Sequence, residues 1–375
     1  MIKHLILSAV LMAIFMNLLA GEKIYVGTAS NEGIYLIDLN VDTGKLKMVY
    51  QCKDIKRSSF LTIDMKNSRL YSLGMEKKIS VVRAYSIGKD GHLTLMNDIK
   101  SNSRGACHIT LSPKGNAVVV ANYGFGKVMV ASLDKGGKLV GEPRYHSHDQ
   151  YTIAKKTKRQ NKPHAHNAYN SPDGQYVYVS DLGLDKILIY KYDKTGNKIV
   201  AHDRPFVQMA QGAGPRHLTF HPTKPFSYVI NELDSTVVLM DYFKSGELKI
   251  KQTITTLPKS WIGKNSCADI HVHPNGKFLY GSNRGHNSIV IFKINVSTGI
   301  LTLVGHQYVG GDWPRNFSIN PSGKYLLVAN QRTNNIVAFT INVETGILKP
   351  TGFEIIIPAP QCLKFLSGYG LKGKK

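Results

Sequence analysis

The chain has 375 residues, 42% hydrophobic and 19% charged, with 48 Lys and Arg against 25 Asp and Glu, a formal net charge of +23. That apolar content excludes a disordered chain and leaves ample length for a real core. The basic residues are scattered, only Lys155 to Lys162 forms a cluster, and no nucleic-acid-binding motif accompanies it. The scatter favours a solvated coat that only keeps the protein soluble over an acidic partner, and no nucleic-acid partner is expected; an anionic surface contacted by the cluster is a weaker idea.

The first element is a processing segment. Lys3 and His4 precede a mostly apolar run from Leu5 to Leu19, and the chain turns polar at Glu22. Such a run is short for a membrane span and suits the hydrophobic region of a secretory signal. Residues 1–21 are expected to be a signal peptide, with an uncleaved anchor as the alternative. The mature protein is then periplasmic or secreted, a monomer, and without stable membrane insertion. Residues 22–375 read as one domain.

From Glu22 onward a glycine turn recurs seven times. The copies are Asp42-Thr43-Gly44, Asp90-Gly91, Asp134 to Leu139 around Gly136, Thr195-Gly196, Ser245-Gly246, Thr298-Gly299 and Thr345-Gly346. Glycine turns between alternating apolar runs mark hairpins. Seven at a period of about fifty residues mark a repeat array. Each unit supplies four short strands; around residues 215–257 they are expected at His217–His221, Ser227–Ile230, Thr236–Tyr242 and Leu248–Thr253. No later segment has a sustained helical period. The fold class is therefore all-β, a seven-bladed β-propeller of four-stranded antiparallel blades. One C-terminal strand, Gln361–Leu366, joins three N-terminal strands to close the ring. Cys52, Cys107, Cys267 and Cys362 lie far apart without a Cys-x-x-Cys pair, which argues against zinc and for mostly buried small side chains.

Comparing the repeats with one another separates scaffold from site. Asn122, Asp181, Asn231, Asn283 and Asn330 fall in one column at the end of the second strand, where a short amide or carboxylate caps a turn. The next residue varies: Tyr123, Leu182, Glu232, Arg284, Gln331. Six before each turn proline lies a second mixed column, Cys107, His166, Arg216, Ala268 and Arg315. The residue after it is polar throughout (His108, Asn167, His217, Asp269, Asn316) and reads as scaffold. Adjacent antiparallel strands bring the two mixed columns to one end of the ring, near the central channel. His166, Arg216, Glu232 and Arg284 then converge on that mouth, with His164 two residues before His166. A carboxylate, imidazoles and several guanidiniums make a site for a small anion. His164-Ala165-His166 could offer two metal ligands, but no carboxylate-rich set completes a zinc site. There is no Gly-x-Ser-x-Gly elbow and no phosphate-binding loop, so neither a serine nucleophile nor a cofactor is expected.

The runs Pro163-His164-Ala165-His166, Ser180-Asp181-Leu182-Gly183, Gly214-Pro215-Arg216-His217, Asn231-Glu232-Leu233, Ser282-Asn283-Arg284-Gly285-His286 and Trp313-Pro314-Arg315-Asn316 keep their order along the whole mature chain. In them the sequence resembles the lactonase-type seven-bladed propellers, which include bacterial 6-phosphogluconolactonases and fungal 3-carboxy-cis,cis-muconate lactonizing enzymes. By position, the resemblance implies active-site roles for His166, Arg216, Glu232 and Arg284. It implies a lactone hydrolase whose substrate is an anionic sugar lactone. Glu232, with His166, would be the general base; Arg216 and Arg284 would bind the anion and the developing oxyanion. His164, Asp181 and Arg315 are expected substrate contacts. A muconate-type lactonising cycloisomerase and a non-catalytic periplasmic binding propeller are the alternatives.

Overall fold

A computed structural model describes residues 21–101, 104–153 and 156–366; the expected signal peptide lies, but for its last residue, outside them. Within those residues the chain forms seven four-stranded antiparallel sheets arranged as blades, with one short 3₁₀ turn, Tyr123–Phe125. The innermost strands are Leu61–Asp64, Ala106–Leu111, Ala165–Asn170, Pro215–Phe220, Ser266–Val272, Pro314–Ile319 and Pro360–Phe365. The last of these pairs with Glu22–Thr28, followed outward by Ile34–Leu39 and Leu46–Cys52. The ring is thus closed by one late strand and three early ones, and its ends gain the pairing they would otherwise lack.

Blades are apolar on both faces of their two middle strands. Tyr176–Asp181, Phe226–Asn231 and Tyr325–Asn330 are buried at every position. Only a strand covered by a neighbouring blade on each side can be apolar on both faces. The outermost strands alternate instead; Ile199–Gln208 and Leu248–Thr255 are buried at the first residue and largely exposed beyond it.

The recurring glycines have a second role besides the turn. The hydroxyls of Tyr25, Tyr71, Tyr178, Tyr228 and Tyr280 donate to the carbonyls of Gly91, Gly137, Gly246, Gly299 and Gly346, each in the following blade, at 2.7–3.1 Å. Gly246 has φ +90°, and a Cβ there would lie 2.5 Å from the Tyr176 ring. Turn geometry and blade contact therefore both demand glycine. In the third blade the left-handed residue is Gly137 (φ 84°), one beyond the glycine expected from the sequence. The four cysteines are free thiols, three buried and Cys107 half-buried.

Candidate active site

The site is built on a row of β-bulges. Ala106 pairs with Asn122 and His108 with Ala121, which leaves Cys107 as an extra residue. The same interruption singles out His166 between Ala165 and Asn167, Arg216 between Pro215 and His217, and Arg315 between Pro314 and Asn316. In the closing blade Gln361 takes that place. A bulge adds one residue to one strand, bends it and re-aims the side chain. These five residues line one cavity of about 580 Å³ at a mouth of the central channel. Tyr123, Glu232 and Arg284, from the ends of second strands, line the same cavity.

Glu232 is buried at the centre of a guanidinium cage. Its Oε2 accepts from Arg216 Nε at 3.0 Å and lies 2.9 Å from Arg284 Nη2. Its Oε1 accepts from Arg159 Nη2 at 2.6 Å. Burial alone would raise the Glu232 pKa, but Arg284, Arg216 and Arg159 outweigh it and hold the carboxyl at about 2. Arg284 is braced further by donating to the Ser266 and Cys267 carbonyls, at 3.0 and 2.8 Å. Its guanidinium also lies 5.1 Å from the Trp313 ring, whose backbone adopts the left-handed φ of 68°.

Arg315 is different. It lines the cavity, yet among the described residues its guanidinium forms no hydrogen bond and no ion pair. Burial, with Arg284 nearby, lowers its pKa to about 10, and Arg216 and Arg284 are lowered to about 10 as well. All three remain cations at neutral pH. Arg57 and Arg159 line the same cavity, so five guanidiniums face one carboxylate. His166 completes the wall. Burial first, then Arg216, His217 and Arg315, push its pKa well below the usual imidazole value, so it is neutral. Its buried Nδ1 has no hydrogen-bond partner.

The structure thus brings together His166, Arg216, Glu232, Arg284 and Arg315, while Asp181 and His164 stand apart from the cavity wall. Asp181 is fully buried; its Oδ1 accepts the backbone amides of His164, Gly183 and Leu184, and its Oδ2 lies 2.7 Å from His148 Nδ1. With those lone pairs engaged it caps a turn. His164 stacks on Tyr123, ring centroids 4.2 Å apart, and its Nδ1 meets the Tyr123 carbonyl at 2.9 Å. It supports a wall residue without itself lining the cavity. The columns did not point to Arg159 and Arg57, which lie in inter-blade connections. The basic cluster was the available sign for Arg159.

Among the described residues, no group of three or more His, Cys, Asp or Glu could hold a metal ion, and no helix is long and apolar enough to cross a membrane. Comparison with known proteins identifies the family. The family model for the lactonase, seven-bladed β-propeller, matches residues 23–365. The 6-phosphogluconolactonase of Bacillus subtilis (strain 168) is 33% identical over 298 residues, covering 78% of this chain and 83% of that protein. The periplasmic gluconolactonase of Pseudomonas aeruginosa superposes with a TM-score of 0.86 at 28% identity, over 92% of this chain and 99% of that one. A solved Bacteroides fragilis NCTC 9343 chain gives 0.85 at 32% identity, over 92% and 98%. Fold, bulge-built pocket and whole-length similarity together place the chain in the family of seven-bladed β-propeller lactonases.

Proposed function

We propose that this lactonase hydrolyses an anionic sugar lactone, carrying a carboxylate or phosphate, with water activated at Glu232. The observation that carries the reading is Arg315, a cationic wall residue with no protein anion to pair with among the described residues. A guanidinium left unpaired in a partly desolvated pocket favours an anionic ligand.

Glu232 in the free pocket is a weak base, because three cations stabilise its charge. Arg159 reaches it from a half-exposed position, whereas Arg216 and Arg284 are buried. An arriving anion competes for Arg159 and leaves Oε1 to accept a proton from water. The water oxygen adds to the lactone carbonyl, and Arg216 and Arg284 stabilise the oxyanion. When the ring C–O bond breaks, the proton returns to the departing ring oxygen and a hydroxy acid leaves. Neutral His166 lies in the same wall and can relay that proton.

The apolar leader, together with the likeness to a periplasmic gluconolactonase, supports action outside the cytoplasm. The test is a pH-stat assay of residues 22–375 on glucono-δ-lactone, its 6-phospho form and a muconolactone, beside Glu232→Gln. Turnover of a sugar lactone that is lost in the variant is the expected result. Turnover of muconolactone alone would redirect the assignment to the lactonising reaction. Anion binding without turnover would make the protein a binding propeller.

A further inference from the structure

Arg216 is held from behind as well as by Glu232. Because it is the extra residue of its bulge, His217 follows it toward the channel, and both side chains line the cavity. Arg216 Nη1 lies 3.1 Å from His217 Nε2 and donates to the Ala268 carbonyl at 2.5 Å. His217 Nδ1 lies 2.7 Å from Asp269 Oδ1.

The proton positions on this chain follow from its donors. A guanidinium offers N–H groups only and accepts nothing. His217 Nε2 must therefore accept from Arg216, which places the imidazole proton on Nδ1, where it donates to Asp269. Asp269 is fixed in turn. Its Oδ1 accepts the Ile270 amide at 3.0 Å, its Oδ2 lies 3.0 Å from His271 Nε2, and Asn316 of the following blade donates to the same oxygen. His217, Asp269 and Asn316 are all buried.

Arg216 is thus anchored at Nε by Glu232 and at both Nη1 protons by Ala268 and His217. A planar fork fixed at two nitrogens has no freedom left at the third. Among the described residues, Nη2 has no protein acceptor. We propose that His217 and Asp269 are positioning residues for the lactonase reaction, setting the plane of the Arg216 guanidinium so that Nη2 is held ready for substrate negative charge. A wall that served only to stitch blades together would need no such proton order. The proposal rests on the anionic-substrate reading above, and on Arg216 contributing to it.

Two substitutions separate the roles of the two ring nitrogens. In His217→Gln the amide oxygen comes close to the place of Nε2, keeping an acceptor for Arg216. In His217→Asn the shorter amide can serve Asp269 but withdraws that acceptor. On the preferred lactone, His217→Asn is expected to lower kcat about 10–100-fold, the scale of a misplaced catalytic group, with a smaller change in KM. His217→Gln is expected to recover most of that loss. Titration calorimetry with inorganic phosphate reads the same array without turnover, and there His217→Asn is expected to weaken binding by about tenfold, or ~1.4 kcal/mol, and His217→Gln by less.

Equal behaviour of the two variants in both measurements would overturn the proposal. If the wild-type protein turned over no lactone, the hydrolase reading would fall, while the phosphate comparison would still decide the role of His217. Should His217→Asn not fold, His217→Ala with and without added imidazole carries the same contrast. Recovery of phosphate affinity by imidazole supports the positioning role, and its absence overturns it.

Discussion

Arg159 Nη2 lies 2.6 Å from Glu232 Oε1, although the two residues are 73 positions apart. Arg159 also approaches the Tyr123 hydroxyl at 3.4 Å, so one half-exposed side chain spans the cavity wall. Its partner is buried; Arg159 itself is not. That asymmetry makes Arg159 the member of the guanidinium cage most easily drawn away.

Removing Arg159 should therefore make Glu232 a stronger base in the free enzyme. Loss of a cation from a carboxylate raises its pKa, here from about 2. In Arg159→Ala the acid limb of the kcat/KM profile is expected to move to higher pH by roughly one unit, with KM for an anionic lactone also rising. Rate profiles between pH ~2 and ~6 would check this. An unmoved acid limb would mean that Glu232 is not the group titrating there.

The same carboxylate should shape acid stability. Its folded pKa of about 2 lies below the ordinary Glu value of about 4.3, so the unfolded state takes up the proton first as pH falls. The stabilisation is complete above the unfolded value and is lost as pH drops through the folded one. Urea unfolding of wild type and Glu232→Gln should differ most above pH ~5, and the gap should shrink by about 3 kcal/mol toward pH ~2. A gap independent of pH would show that the cage does not hold the carboxylate as described.

Much of this architecture was legible in the sequence because the blades repeat. The seven glycine turns gave the ring, and the mixed columns located Cys107, His166, Arg216, Arg315, Glu232 and Arg284 by departing from their repeats. What the columns could not carry was direction. Asp181 sits in register with the turn-capping amides, and only the amides of His164, Gly183 and Leu184 show that its Oδ1 is engaged by the backbone. Bulges are equally silent, since an extra residue changes pairing without changing composition. That is why His217 read as scaffold although it touches Arg216. Arg159 belongs to no blade column, so its contact with Glu232 required the folded chain.

Arg315 offers a test of function against stability. It is a cation that forms no hydrogen bond or ion pair among the described residues, and burial lowers its pKa to about 10. Such a group is retained at the expense of the fold when a ligand needs it. Arg315→Gln is expected to raise the thermal midpoint by about 2 °C while KM for the anionic lactone rises about 10–100-fold. A lowered midpoint with unchanged KM would assign Arg315 to the scaffold.

The inter-blade tyrosines should behave in the opposite way. Tyr228 is fully buried and donates to the Gly299 carbonyl at 2.9 Å, and it does not line the cavity. Tyr228→Phe keeps the ring packing and removes only the hydroxyl, leaving that buried carbonyl without its donor. The cost should be about 1–3 kcal/mol in urea unfolding, with kcat and KM held at wild-type values. Because five tyrosines repeat the contact around the ring, a second such change in a non-adjacent blade, Tyr71→Phe, should add its own cost independently. A large loss of activity from either would mean that blade spacing controls the cavity, and that the bulged residues depend on the ring for more than support.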